Sequence, residues 1–218
     1  MNRFRTLFAA VFSILGLVMA VPTFAQPTVN VDYRLINPPQ APASKVGVEV
    51  LEFFNYACGH CYEFEPLLKA WLKNKPADAT FRYVPAVFNE NMMPLAKLHY
   101  SLDEMGLLEK LHERVYTAIH VQNQKLVTRE AIVKWAGAQG VDEKKFAATF
   151  DSFSIANRAQ RAAQLTRNMR VPGTPYVVVG GRYLTGPSMV LKPGSGGVDA
   201  NRFVVVLEEL IDMARKPN

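Results

Sequence analysis

The segment VLEFFNYACGHC, residues 50–61, carries an apolar run directly into Cys58 and Cys61, the only cysteines of the chain. Residues 46–54 are mostly Val, Leu and Phe, a composition typical of a strand that is buried on both faces of a sheet. After Cys61 the apolar residues recur at three- and four-residue spacing, which predicts a helix with Pro66 inside it. The two thiols are therefore expected at a strand-to-helix junction.

This position suits thiol-disulfide exchange. Two thiols at positions i and i+3 can close a small disulfide, and a thiolate can pass that bond to other thiols by attack on sulfur. Cys58 is expected at the helix N-terminus, where unpaired backbone amides and the helix dipole stabilise an anion. We therefore expect Cys58 to be the reactive thiolate. Cys61, one turn further in, is expected to be less exposed and to act as the resolving thiol.

The dipeptide between the cysteines is Gly59-His60. His60 can place a hydrogen-bond donor or a positive charge near the Cys58 thiolate, so its replacement should raise the pKa of Cys58. The alternative is a surface histidine with an ordinary pKa. Gly59 leaves the backbone open to a partner chain, although glycine is also common in turns.

The pattern along the rest of the chain alternates between strand and helix. Residues 26–45 are rich in Pro and Ala and indicate an extended lead-in. A strand is predicted at residues 79–87, followed by a long helical region over residues 93–169. Strand signals return at residues 176–184 around a Gly-Gly turn, and Asp199 can cap a last amphipathic helix. This order indicates an α/β domain with a helical insertion.

The N-terminus has the features of a signal peptide. Arg3 and Arg5 form a short basic region, residues 7–21 are apolar, and Ala25 is the small residue that signal peptidase requires. We expect residues 1–25 to be removed. An uncleaved membrane anchor is the alternative, but the apolar stretch is short for a spanning helix. Export would place the cysteines where disulfides persist, which favours a redox pair over a zinc site.

Composition limits the remaining classes of function. The 218 residues carry 25 basic and 19 acidic side chains, a net charge of +6, and removal of two arginines with the signal peptide leaves 23 against 19, or +4. The basic residues are spread along the chain without a block, so the charge does not indicate a nucleic-acid partner. Nothing indicates an oligomer, and we expect a monomer.

Three motifs carry a resemblance to a known family: VLEFF (residues 50–54), CGHC (residues 58–61) and VPGTP (residues 171–175) ahead of a Val-rich strand. In this order they resemble the DsbA family of exported thiol-disulfide oxidoreductases. The resemblance covers essentially the whole mature chain and implies a thioredoxin fold with an inserted helical domain. The expected divisions are a signal peptide (1–25), the first part of the thioredoxin domain (26–92), the helical insertion (93–165) and the second part of the thioredoxin domain (166–218).

The resemblance also implies an activity and partners. It implies an enzyme of the periplasm of a Gram-negative bacterium that introduces disulfide bonds into reduced exported proteins. An inner-membrane, quinone-linked protein of the DsbB kind would reoxidise it. One departure is the dipeptide: the best-known members carry Pro-His, and Gly59-His60 is also similar to the dipeptide of protein disulfide isomerase. A disulfide isomerase or reductase, or a non-catalytic thioredoxin-like binding module, remains an alternative.

Two further candidate sites come with the resemblance. A glutamate matching Glu52 lies beneath the active site in the family and is thought to help move the proton of the buried thiol. The other interpretation is that Glu52 faces a water-lined edge and pairs with a lysine. Thr174-Pro175 matches the loop that faces the cysteines, with Pro175 in the cis form, which leaves neighbouring backbone groups free to pair with an extended substrate.

The other titratable residues give no further site. His99, His112 and His120 have no cysteine or carboxylate at metal-binding spacing, and we interpret them as ordinary helix residues. Glu49 and Glu63 are expected to be solvated. A structural zinc site usually needs four ligands, and Tyr62 after Cys61 excludes the haem-attachment motif. We therefore expect no cofactor and no metal.

Overall fold

The computed structural model of the protein describes residues 26–43 and 46–216, so the predicted signal peptide lies outside the described residues. A five-stranded sheet organises the described chain, in the spatial order β1-β5-β4-β2-β3. Neighbouring strands are antiparallel except for β2 and β3, which are parallel. The strands are β1 (Arg34–Leu35), β2 (Val48–Phe54), β3 (Ala79–Pro85), β4 (Tyr176–Val179) and β5 (Tyr183–Thr185).

Seven α-helices of the described chain flank this sheet. One follows β2, five lie between β3 and β4 in sequence, and one ends the chain. A π-helix, Thr117–Val121, continues the third of them. The helices are α1 (Gly59–Leu72), α2 (Met93–Glu104), α3 (Leu108–Tyr116), α4 (Arg129–Ala138), α5 (Glu143–Phe150), α6 (Phe153–Asn168) and α7 (Ala200–Arg215).

Strand β2 is the central element, and all seven of its residues are buried. Because successive side chains of a strand point to opposite faces, the strand serves two cores. Val50 packs with side chains of α1 and α7, whereas Leu51 and Phe53 pack with side chains of α6. Glu52 has the same parity as Val50 and therefore lies on the face that α1 covers.

The first four of the five helices between β3 and β4, α2 to α5, share a third core. It is built from apolar side chains such as Leu98, Leu111, Ile132 and Phe146, and it extends to Phe54 at the end of β2. The insertion is thus packed against the end of β2 that leads into the cysteines. No helix of residues 26–43 and 46–216 is long and apolar enough to cross a membrane.

The lead-in contributes more than an extended linker. Within it, β1 forms the outer edge of the sheet by pairing with β5. Asp32, just before β1, accepts hydrogen bonds from Arg202 at 2.7 and 3.1 Å, and the hydroxyl of Thr185 donates to its carbonyl oxygen at 2.7 Å. These contacts tie the lead-in to α7 and β5.

Candidate active site

Cys58 is the N-cap residue of α1, directly after the turn that leaves β2. Its pKa is lowered from 9.0 to about 5. The main cause is a hydrogen bond from the thiol of Cys61, and the Thr174 side chain and the backbone N–H groups of Cys61 and His60 act in the same direction, while burial opposes them. A thiolate at a helix N-terminus has the donors that an anion needs. Cys58 is therefore ionised at neutral pH in the reduced protein.

Cys61 lies in the opposite environment. Its side chain is 0% exposed and packs in the apolar core shared with the helical insertion. Burial raises the pKa of this thiol above 9.0, and the hydrogen bond to Cys58 and the negative charges of Cys58 and Glu52 raise it further. Cys61 therefore keeps its proton where Cys58 has lost one.

The Thr174-Pro175 loop faces the cysteines, and its peptide bond is cis. Strand β4 begins at Tyr176 and pairs with β2, with Tyr176 opposite Phe53. This pairing brings the carbonyl oxygen of Thr174 to 3.4 Å from the Cys58 sulfur. The expected cis form of Pro175 is confirmed.

An apolar groove begins beside Cys58 and extends along α1. It has a volume of about 470 Å³. Phe54 and Tyr56, two large apolar side chains that come just before the cysteines, do not line it because they are buried in the core. His60, Leu67, Thr174, Pro175, Tyr176 and Leu191 are among the residues that line the groove.

Glu52 lies beneath the cysteines and is completely buried. Neither of its carboxylate oxygens has a hydrogen-bond partner among the described residues. Burial raises the pKa of this carboxyl well above 4.5, and the charges of Glu65 and Cys58 raise it further. The interpretation as an edge residue paired with a lysine is wrong. A buried carboxyl with a raised pKa is suited to exchanging a proton with a neighbouring group.

A second buried carboxylate, Glu65 of α1, was missed in the sequence. The hydroxyl of Tyr83 donates to Glu65 Oε1 at 2.9 Å, and His112 Nε2 lies 3.6 Å from Glu65 Oε2. Burial raises the pKa of Tyr83. The region below Cys61 therefore holds two carboxyls among aromatic side chains.

The three histidines that we interpret as ordinary helix residues all contact Tyr56, which the sequence did not indicate. His112 Nδ1 lies 2.7 Å from the Tyr56 hydroxyl, and His99 Nδ1 lies 3.4 Å from it. His120 Nε2 lies 2.8 Å from the Tyr56 carbonyl oxygen. His99 and His112 are buried, and desolvation holds the pKa of His99 well below 6.5. The sequence contains a signal for this burial, because His99 and His112 both occupy positions of an apolar helical stripe.

Glu49 is a further correction, since the expectation of a solvated side chain is wrong. The residue is 7% exposed and accepts a hydrogen bond from Arg82 of β3 at 3.1 Å. Glu49 precedes Glu52 by three residues, so it lies on the other face of β2. Glu63, in contrast, is exposed as expected and borders the groove.

The Cys58 thiolate with its low pKa begins a helix, its partner thiol is buried, and a cis-proline loop faces both. This arrangement defines a thiol-disulfide oxidoreductase with a thioredoxin fold. Residues 49–192 match the family model of the DSBA-like thioredoxin domain. The chain belongs to the DsbA family. The expected fold class, with helices inserted in the thioredoxin domain, and the expected oxidoreductase activity are thereby confirmed.

Relatives and solved structures agree along most of the chain. The chain is 41% identical over 184 residues to a thiol:disulfide interchange protein DsbA of Bordetella parapertussis, covering 84% of this chain and 85% of that protein. It is similar to the crystal structure of Pseudomonas aeruginosa DsbA with a TM-score of 0.79 and 31% identity, covering 87% and 95% of the two chains. The structure of reduced DsbA1 from Neisseria meningitidis gives a TM-score of 0.74 at 29% identity, covering 88% and 96%.

Proposed function

We propose that this protein is an oxidase that introduces disulfide bonds into reduced exported proteins through Cys58 and Cys61. The observation that carries the proposal is the opposite shift of the two thiol pKa values, with Cys58 lowered to about 5 and Cys61 raised. A stable Cys58 thiolate favours the reduced form of the enzyme. Electrons therefore flow from substrate thiols to the enzyme disulfide.

The reaction begins on the oxidised enzyme. A substrate thiolate attacks the Cys58 sulfur, the Cys58–Cys61 bond breaks, and Cys61 leaves with the electron pair and takes up a proton. A second substrate thiolate then attacks the substrate sulfur of the mixed disulfide and releases the Cys58 thiolate. The substrate loses two electrons to form its disulfide, and the enzyme gains them as a dithiol.

The same electron balance assigns the resolving role of Cys61 to reoxidation of the enzyme and not to release of the substrate. Attack of Cys61 on a mixed disulfide with substrate returns the substrate in reduced form, so it reverses the reaction. During reoxidation the Cys58 thiolate attacks a disulfide of the oxidant protein, and Cys61 then resolves that mixed disulfide. Cys61 must lose its proton in this step, for which Glu52 is the proposed acceptor.

The residues around the sulfurs bind and orient the partner chain. Gly59 and His60 are exposed beside Cys58, and they face the Thr174-Pro175 loop, in which Thr174 is half-buried and Pro175 is buried. The groove between them leaves room for an extended peptide next to Cys58. Pro175 has no N–H to donate, which leaves neighbouring backbone groups available to such a peptide. The backbone amide of His60 also stabilises the Cys58 thiolate. The imidazole of His60 supplies a further hydrogen-bond donor beside Cys58.

The proposed setting is the periplasm of a Gram-negative bacterium. The signal-peptide features of the N-terminus and membership in the DsbA family support export. The proposed partners are reduced exported proteins and an inner-membrane, quinone-linked protein of the DsbB kind that returns the enzyme to the disulfide form. The following experiment distinguishes the proposed oxidase from a periplasmic disulfide isomerase or reductase.

Equilibration of the purified protein with glutathione buffers measures its reduction potential. We expect a value above the ~ −180 mV of protein disulfide isomerase. A value near ~ −180 mV would favour the isomerase, and a value toward the ~ −270 mV of thioredoxin would favour a reductase; either would overturn the proposed oxidase. Alkylation of the reduced protein at pH 6 tests the roles of the two sulfurs, since only the thiolate reacts readily. Cys58 should be labelled first, and preferential labelling of Cys61 would contradict its assignment as the buried thiol.

A further inference from the structure

The turn that presents Cys58 is held by few hydrogen bonds of its own. The Asn55 side-chain oxygen accepts from the Ala57 amide at 2.8 Å, and the Asn55 carbonyl oxygen accepts from the Cys58 amide at 2.9 Å. The carbonyl oxygen of Tyr56, in the middle of the turn, accepts from His120 Nε2 at 2.8 Å. This bond joins the turn to a residue 64 positions further along the chain.

His120 also contacts the other side of the CxxC motif. Its imidazole stacks on the ring of Tyr62, with centroids 5.1 Å apart and an interplanar angle of 8°. Tyr62 directly follows Cys61 in α1 and is 37% exposed. One side chain of the helical insertion thus bridges the turn before Cys58 and the first turn of the helix after Cys61.

The π-helix places His120 at this point. Thr117–Val121 continues α3, and the amide of Gln122 donates to the carbonyl oxygen of Thr117 at 3.0 Å, five residues back. A π-helical turn changes the direction of the side chains relative to an α-helix and is frequently found at functional sites. Tyr116 and His120 both contact Tyr62. The irregular helix therefore has a definite contact partner in α1.

We propose that His120 is a positioning residue that holds the Asn55–Cys58 turn and the start of α1 together, so that the Cys58 sulfur meets its hydrogen-bond donors. This inference rests on the proposed role of Cys58 as the reactive thiolate. A carbonyl oxygen can only accept, so the contact requires the proton of the neutral imidazole to be on Nε2. The helical insertion, which supplies no reacting atom, acts on the reaction through this bond.

His120 keeps in place the hydrogen-bond donors that surround the Cys58 sulfur. The Cys58 thiolate is stabilised by the Cys61 thiol, the Thr174 side chain and the first backbone amides of α1. A hydrogen bond to a charged group loses strength steeply when its angle and distance change. Release of the Tyr56 carbonyl lets the turn move relative to α1, which weakens these bonds together.

The first test compares two replacements of His120 in the full mature protein. His120→Phe keeps an aromatic ring for the stack on Tyr62 but removes the donor, whereas His120→Gln supplies an amide donor without the ring. We expect His120→Phe to raise the measured pKa of the Cys58 thiol by about one unit. The equilibrium constant with glutathione should move about tenfold toward the enzyme disulfide, which corresponds to ~30 mV. His120→Gln should restore part of both values.

Phe146→Leu is the matched control for loss of stability. Phe146 is buried in the core of the insertion, in α5, next to Phe150, and its truncation lowers the melting temperature without removing the His120 bond. The Cys58 titration should be unchanged in this variant. If Phe146→Leu and His120→Phe raised the thiol pKa equally, destabilisation alone would explain the effect and the inference would be wrong.

A second measurement does not depend on a variant. In the parent protein labelled with ¹⁵N-histidine, the two nitrogen shifts of His120 should show the Nε2-protonated tautomer. The Nδ1-protonated tautomer would refute the hydrogen bond to Tyr56. A parent protein with an ordinary Cys58 pKa and a reducing potential would refute the proposed function itself, whereas a normal parent with an unchanged His120→Phe variant would refute only this inference.

Discussion

The active site has an outer rim, formed by Cys58, His60 and Thr174, and an inner region below it, formed by Cys61, Glu52 and Glu65. The two regions differ in how well they stabilise a negative charge. At the rim, hydrogen-bond donors surround a sulfur that solvent can reach, and the pKa of Cys58 falls to about 5. In the inner region, burial raises the pKa values of Cys61 and Glu52. Exposure decides which sulfur a substrate attacks, because Cys61 is completely buried. The stable Cys58 thiolate is then the good leaving group when the second substrate thiolate resolves the mixed disulfide.

The largest effect should come from removing the rim sulfur. Cys58→Ser should reduce disulfide transfer to a reduced model protein to the uncatalysed level, because the sulfur that forms the mixed disulfide is gone. Cys61→Ser keeps the rim thiolate and should form mixed disulfides that it cannot resolve. Gel analysis under non-reducing conditions measures both. Mixed disulfides that form in Cys58→Ser and not in Cys61→Ser would reverse the assignment of the two sulfurs.

The next largest effect should come from the inner carboxyl. Glu52→Gln removes the proposed proton acceptor and should slow the step in which Cys61 loses its proton by about 10²-fold, at the low end for general acid–base catalysis. Rapid-mixing measurement of reoxidation by a small disulfide tests this. Glu49→Gln is the control, since it makes the same change on the same strand in a carboxylate paired with Arg82. Equal rates for the two variants would argue against a role for Glu52.

The rim should also make the stability of the reduced protein depend on pH. The pKa of Cys58 is lower in the folded state than in the unfolded chain, so the unfolded state binds more protons between pH 5 and pH 9. The free energy of unfolding of the reduced form, relative to the oxidised form, should therefore rise from pH 5 to pH 9. On acidification the stabilisation is lost over the same range, and it is absent below pH 5. Each pKa unit corresponds to ~1.4 kcal/mol, and screening at this half-exposed group reduces the total to about 2 kcal/mol.

Denaturant titrations of the reduced and oxidised proteins between pH 5 and pH 8 measure that difference. The oxidised protein is the control because it has neither thiol, and other titrating groups cancel in the comparison. A difference that stays constant over this range would show that the rim does not stabilise the Cys58 thiolate.

The smallest effect is expected from the side chain of His60. His60→Ala removes an exposed imidazole but keeps the backbone amide that contributes to the low pKa of Cys58. The pKa should therefore rise by less than one unit, with a change of a few-fold in the equilibrium with glutathione. Thiolate absorbance as a function of pH measures it. A fall of the pKa, or no change at all, would limit the contribution of His60 to its backbone.

The site elements that follow local patterns could be predicted from the sequence. The apolar run of β2, the helical spacing after Cys61 and the hairpin signals at β4 and β5 are all set by neighbours in the chain. The same holds for Asp199, whose carboxylate accepts from the amide of Arg202 at 3.0 Å. The cis form of Pro175 followed only from the resemblance, because nothing adjacent to an X-Pro bond decides its isomer.

The surroundings of Tyr56 and the burial of Glu49 could not be predicted because their contacts join distant segments. His99, His112 and His120 meet Tyr56 across 43, 56 and 64 residues of sequence, and the packing of α2 and α3 against the end of β2 decides the pairing. The burial of Glu49 has the same origin, since its partner Arg82 comes from β3. Residue type alone suggested a solvated Glu49 and ordinary helix histidines, and neither pattern contains the long-range contacts that tertiary structure creates.

The helical insertion between β3 and β4 has a consequence for the order in which the molecule is completed. Cys58 and Thr174 are 116 residues apart, and a ribosome makes the cysteines long before the loop that faces them. Closing so long a loop is entropically costly, whereas contacts between successive helices of the insertion form locally and bring its two ends closer. The catalytic surface is thus expected to be among the last parts to assemble, so an incomplete chain carries both thiols without the machinery that controls them.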